Sequence, residues 1–109
     1  MHKSVFFAAC LLAAAMPARA YDTGSLTCER IGELAATTLA AKQSGTAPGV
    51  SLAALTDQFS PDARVERKLV SNINNIIYQN DLIAAMKPGD AYLVFMHDCM
   101  RGRDWDRSR

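Results

Sequence analysis

Three consecutive residues near the end of the chain, His97, Asp98 and Cys99, belong to types that bind metal ions. If this segment is helical, neighbouring side chains point about 100° apart and cannot converge on one ion. Oxidation of Cys99 would also remove its sulfur as a thiolate ligand. We therefore predict no metal site and interpret His97 as an ordinary boundary histidine.

The sequence also lacks the signatures of catalysis. It contains no Gly-x-Ser-x-Gly motif, phosphate-binding loop, His-Glu-x-x-His motif or haem-attachment motif. Glu29 and Glu33 are two carboxylates one helical turn apart, which we interpret as part of a solvated face. A small bundle leaves little interior for a pocket of several hundred Å³. We predict a non-enzymatic protein with no catalytic residue and no cofactor.

Residues 1–20 have the pattern of a secretory signal peptide. Lys3 supplies the positive start, an apolar run follows from Val5 to Met16, and Ala18-Arg19-Ala20 fits a cleavage site. The apolar run is shorter than the ~20 residues that a transmembrane helix needs. We predict cleavage after Ala20 and a periplasmic or secreted protein that is not inserted stably in the membrane.

Removal of this leader changes the charge and the cysteine count. Of 12 Lys and Arg residues, Lys3 and Arg19 leave, so 10 remain against 11 Asp and Glu, and the net charge moves from +1 to −1. A near-neutral chain gives no electrostatic basis for binding nucleic acid. Loss of Cys10 leaves Cys28 and Cys99, for which we predict a disulfide bond. The closed loop of about 71 residues is worth at most ~4.4 kcal/mol in the chain-entropy model.

Residues 60–78 form the most strongly patterned segment, and we predict that the fold is organised around this helix. Ser60 is a suitable N-cap, Pro61 suits the first helical position, and Asp62 places a negative charge in the first turn. Its apolar residues fall within an arc of about 140°. They are Val65, Leu69, Val70, Ile73, Ile76 and Ile77.

Helical spacing recurs on both sides of this segment. We predict one helix from Ser25 or Thr27 to about Lys42, with Gly45 as its C-terminal cap, and another over residues 51–59. Asp81 is predicted to cap one further turn. Gly32 lies on the apolar face of the first helix, which suggests close approach of another backbone.

Residues 90–101 are the most ambiguous segment, because a continuous apolar run also fits a buried strand. We favour a helix whose apolar stripe is Tyr92, Phe95, Met96, Cys99 and Met100. Residues 103–109 are predicted to be a disordered tail, in which Trp105 is the one residue suited to docking on a partner. The predicted fold is therefore all-α: a compact bundle of three to four helices over residues 21–102, joined by one disulfide bond.

An uncharged polar face on the segment 60–78 is the one feature that suggests a binding function. No charge occurs between Lys68 and Asp81. Exposed helix faces usually carry charged residues, whereas Asn is a mediocre helix former. One interpretation is a recognition surface with Tyr78 as its aromatic anchor; the other is that neighbouring helices half-cover the face and bond its amides. The candidate partner-binding residues are Asn72, Asn75, Tyr78 and Gln79.

Several short motifs in the chain resemble those of small exported bacterial proteins with two cysteines and no assigned function. The matching residues are Cys28, Gly32, Ile76, Ile77, Tyr78, Pro88 and Cys99. The segment Thr27-Cys28-Glu29 is also similar to the first-cysteine segment of the periplasmic acid-stress chaperones. The resemblance implies an exported helical protein and brings no activity with it.

The preferred functional hypothesis is a periplasmic protein that acts through contacts with another envelope protein. The alternative hypothesis is an acid- or envelope-stress chaperone. A metal carrier or a small enzyme is the third and least favoured hypothesis. The sequence leaves open the partner, the biological process and the oligomeric state.

Overall fold

A computed structural model describes residues 22–102 of the chain. The predicted signal peptide (1–20), Tyr21 and the predicted tail (103–109) lie outside these residues. Within 22–102 there are five helices and no strand. They are α1 (Cys28–Gln43), α2 (Pro48–Thr56), α3 (Arg64–Gln79), α4 (Asp81–Ala84) and α5 (Pro88–Met100). Since α4 is a single turn, four longer helices make the bundle, and the all-α prediction is confirmed.

Helix α1 lies at the centre of the packing and contacts each of the other four helices. Its buried positions cover an arc of about 160° at 100° per residue, wider than one helix can cover. They are Ile31, Gly32, Leu34, Ala35, Thr38 and Leu39. The prediction that the fold is organised around residues 60–78 is therefore wrong, because α1, and not α3, lies at the centre of the packing. α3 has the cleaner apolar stripe, but the small residues of α1 allow close packing on two sides.

The most extensive contact in the bundle is between α1 and α5. Cys28, at the start of α1, is bonded to Cys99, near the end of α5, with a Cα–Cα distance of 5.4 Å, so the two helices run antiparallel. A Cβ atom on Gly32 would lie 2.6 Å from Tyr92 Cδ1 and 2.8 Å from the Tyr92 carbonyl oxygen. The predicted disulfide and the predicted close approach at Gly32 are both confirmed.

The ends of α1 follow the sequence signals closely. Thr27 is the N-cap, and its hydroxyl oxygen accepts a hydrogen bond of 3.1 Å from the Arg30 amide. Gly45 has a φ of 89°, which lies in the left-handed region that favours glycine. The chain can therefore turn after α1 without steric strain.

Helix α3 begins at Arg64, three residues after the predicted first helical position, Pro61. The Ala63 amide donates to the Ser60 carbonyl oxygen at 3.0 Å, which closes a turn with Pro61 and Asp62 at its centre. Proline suits the second position of such a turn as well as it suits the first turn of a helix. Residues 60–62 therefore form part of the connection between α2 and α3 and not the first turn of α3. Helix α2 spans Pro48–Thr56, whereas the sequence predicted 51–59.

The last two helices also depart slightly from the predicted bounds. Asn80, not Asp81, caps α4, and its side-chain oxygen accepts from the amides of Leu82 at 2.9 Å and Ile83 at 3.1 Å. Residues 90–100 are helical rather than extended and belong to α5, which ends at Met100 and starts earlier than predicted because Pro88 occupies its first turn. Met100, which was assigned to the inward stripe, is 63% exposed.

The hydrophobic core joins residues from α1, α2, α3 and α5, with one from the segment before α1. Phe95 of α5 is its largest fully buried side chain. Its members are Leu26, Ile31, Leu34, Ala35, Leu39, Leu55, Leu69, Val70, Ile73, Ile77, Ala91, Phe95 and Cys99.

Candidate partner-binding surface

The four candidate binding residues, which we call the amide surface (Asn72, Asn75, Tyr78 and Gln79), do not share one environment. Asn75 and Gln79 are exposed, whereas Asn72 and Tyr78 are half-buried. A spacing of four residues places Asn75 and Gln79 on the same side of α3. These two side chains are the part of the amide surface that faces solvent.

Tyr78 is held inside the fold by two neighbouring groups. Its hydroxyl donates a hydrogen bond of 2.7 Å to the carbonyl oxygen of Thr46, in the connection between α1 and α2. Lys42 Nζ lies 5.5 Å from the ring centroid, a cation–π distance. Tyr78 therefore holds the α1–α2 connection against α3, and its hydroxyl proton is used in the bond to Thr46.

Lys42 also binds the carboxyl-terminal end of α3. Its Nζ atom donates to the carbonyl oxygens of Ile77 and Tyr78, at 3.2 Å in both cases. The last carbonyl groups of a helix have no partner within it and carry partial negative charge, so a lysine there is favourable. This contact positions the end of α3 that carries Gln79.

Asn74 is a structural residue that the sequence interpretation did not separate from its neighbours. It is 5% exposed, accepts a hydrogen bond of 2.7 Å from Ser51 Oγ, and donates one of 3.2 Å to the Pro48 carbonyl oxygen. Its bonds join α3 to the start of α2. Its spacing was a usable signal, because Asn74 follows Val70 by four residues and precedes Ile77 by three.

Two exposed apolar side chains lie in α2 and α4, the helices that precede and follow α3 along the chain. Val50, 63% exposed, precedes Ser51, which bonds to Asn74. Leu82, 80% exposed, follows α3 by three residues.

The residues considered for metal binding and catalysis have structural or solvated positions. Cys99 is in the disulfide bond and His97 is exposed. Glu29 is exposed, and Glu33 forms an exposed ion pair of 3.1 Å with Arg30. Across residues 22–102, no three His, Cys, Asp or Glu side chains are grouped so as to hold a metal ion. None of the helices in that range is long and apolar enough to cross a membrane.

One carboxylate links the segment before α1 to the first turn of α3. Glu66 Oε2 accepts hydrogen bonds from the Ser25 amide at 2.7 Å and the Ser25 hydroxyl at 2.8 Å. These bonds favour the ionised carboxylate and lower the pKa of Glu66 below its ordinary value. Gly24, with a φ of 61°, brings the backbone so close to this carboxylate that a Cβ atom would overlap it.

Comparisons of the chain with protein family models, with curated proteins and with solved structures found no match.

Proposed function

We propose that this is an exported, non-enzymatic protein that binds another protein of the cell envelope through the exposed part of the amide surface. The observation that carries the proposal is that the polar residues near the end of α3 fall into two groups, one bonded inside the fold and one exposed. Asn74 and Tyr78 are bonded inside the fold, whereas Asn75 and Gln79 face solvent. Because the helix backbone that carries these two amides is already fixed, a partner that binds them does not also have to order the helix.

The location outside the cytoplasm is part of the same proposal. The signal-peptide pattern of residues 1–20 supports it, and the Cys28–Cys99 bond is typical of oxidising compartments. Mass spectrometry of the exported protein should identify Tyr21 as its first residue. Recovery of the full-length chain from the membrane fraction would contradict this location.

Site-specific photocrosslinking in the cell tests the binding surface. A photoreactive amino acid at Gln79 should give a single adduct of defined mass, because the proposed partner covers this position. The same amino acid at Glu29, exposed near the start of α1, is the control and should give no such adduct. Absence of an adduct from position 79, or the same adduct from both positions, would refute the proposal.

An acid-stress chaperone is the second candidate, and the Glu66 carboxylate favours it. Protonation of Glu66 in strong acid would weaken its bonds to Ser25 and loosen residues 22–27 from α3. Leu26, which is 8% exposed, would then be free to leave the core. A chaperone should give many crosslinked products in acid and few at neutral pH, whereas a dedicated binder should give one product at neutral pH.

A further inference from the structure

The outer face of α5 combines apolar and charged side chains in a self-complementary order. At 100° per residue, five exposed residues of α5 and its exposed C-cap residue, Arg101, fall within one arc of about 120°. They are Asp90, Leu93, Val94, His97, Met100 and Arg101. Leu93 is 49%, Val94 36% and Met100 63% exposed. The opposite face, with Ala91, Phe95 and Cys99, is buried against the bundle. We call the exposed set the α5 stripe.

Asp90 and Arg101 lie at opposite ends of the α5 stripe, with the apolar side chains between them. Within residues 22–102, neither charged side chain forms an ion pair or hydrogen bond. The helix macrodipole explains an acid at the start and a base at the end of a helix. It does not explain exposed Leu93 and Met100 between them.

We propose that the α5 stripe binds the α5 stripe of a second copy of this chain in an antiparallel, two-fold symmetric dimer. A two-fold axis places each Asp90 opposite the Arg101 of the other copy. In the same register, Leu93 and the Met100 of the other copy are offset by two residues, or about 3 Å along the helix, which is within reach of these two side chains. Charge and apolar contacts are therefore satisfied together in one register.

The proposed dimer uses the α5 stripe and not the amide surface, so evidence against one of the two proposals would not affect the other. The stripe runs over 11 residue steps, or about 16 Å. A contact made by one such helix is small beside the ~800 Å² per partner of a standard interface. We therefore expect a weak dimer that forms in the micromolar-to-millimolar range and is absent in dilute solution.

The test is sedimentation equilibrium of the mature, oxidised protein over that concentration range, with charge reversals at the two ends. Asp90→Arg gives a chain with Arg at both ends of the stripe, and Arg101→Asp gives one with Asp at both ends. Each variant alone should dimerise at least tenfold more weakly than wild type. An equal mixture should recover near-wild-type association, because in the mixed dimer every Arg faces an Asp.

Circular dichroism should show that both variants keep the wild-type helix content, so that weaker association is not a folding defect. Leu93→Ser supplies a second test of the same interface and should also weaken the dimer at least tenfold. A monomeric wild-type protein at millimolar concentration would overturn the proposal. So would single variants that associate like wild type, or a mixture that associates no better than its components.

Discussion

At the scale of single residues, glycine and asparagine positions show what spacing can and cannot predict. Gly32 was predicted to mark a close approach because a glycine within an apolar helical face costs stability unless space requires it. Tyr92 is the neighbour that requires it. Asn74 and Asn75, by contrast, are adjacent residues of one type with opposite roles. Spacing places Asn74 on the same side of the helix as Val70 and Ile77, but its bonds to Ser51 and Pro48 depend on where α2 lies in space.

Replacement of Gly32 by alanine should destabilise the protein by about 1–3 kcal/mol, because the added methyl group would overlap Tyr92. Gly89→Ala is the matched control, since a Cβ atom at that helical position meets nothing within 4 Å. The control should be neutral or stabilising by up to ~1 kcal/mol. Urea unfolding measures both changes, and equal stabilities of the two variants would contradict the close packing of α1 on α5.

The Glu66 contact predicts a specific dependence of stability on pH. Because its pKa is lowered in the folded state, its contribution is fully present above the ordinary value of 4.5. The contribution is lost as the pH falls through the folded-state pKa. Glu66→Gln should therefore flatten the fall in unfolding free energy below pH 4.5. Ser25→Ala, which removes one of the two donors, should have a smaller effect of the same sign. An unchanged slope in Glu66→Gln would contradict the contact.

At the scale of helices, the sequence predicted the number and type of the elements better than their ends. Periodicity identified four helices, and the Thr27 and Gly45 signals placed the ends of α1 closely. The start of α3 was misplaced because Ser60-Pro61-Asp62 suits both a turn and a helix start. The central position of α1 was missed because this helix contains four alanines and one glycine and therefore has no strong apolar stripe.

Reduction of the Cys28–Cys99 bond should separate the end of α5 from the start of α1 and destabilise the bundle. The loop-closure model sets an upper value of about 4.4 kcal/mol for this loss. The measurement is thermal unfolding of the oxidised protein and of the Cys28→Ser/Cys99→Ser variant, which avoids effects of the reductant. A variant as stable as the oxidised protein would show that α1–α5 packing alone maintains the contact.

At the scale of the whole molecule, α3 both completes the hydrophobic core and holds neighbouring segments in place. The buried side of α3 completes the core, and its bonded polar residues fix α2 and the α1–α2 connection. What remains exposed near its end is uncharged and amide-rich. The sequence predicted the composition of this face. It did not predict which of its residues are exposed and which are bonded, because that depends on contacts made by residues 46–51.

Co-purification of the partner with a variant of unchanged stability tests this account most directly. Asn75→Glu/Gln79→Lys places a favourable charge pair four residues apart on exposed positions, so the unfolding free energy should stay within about 0.5 kcal/mol of wild type. Asn74→Ala is the structural control and should lose about 1–3 kcal/mol, because it leaves Ser51 and the Pro48 carbonyl without their partner. We predict that wild type retains one envelope protein and that the stable double variant loses it. Retention of the same partner by the double variant would contradict the claim that the exposed amides of α3 are the binding site.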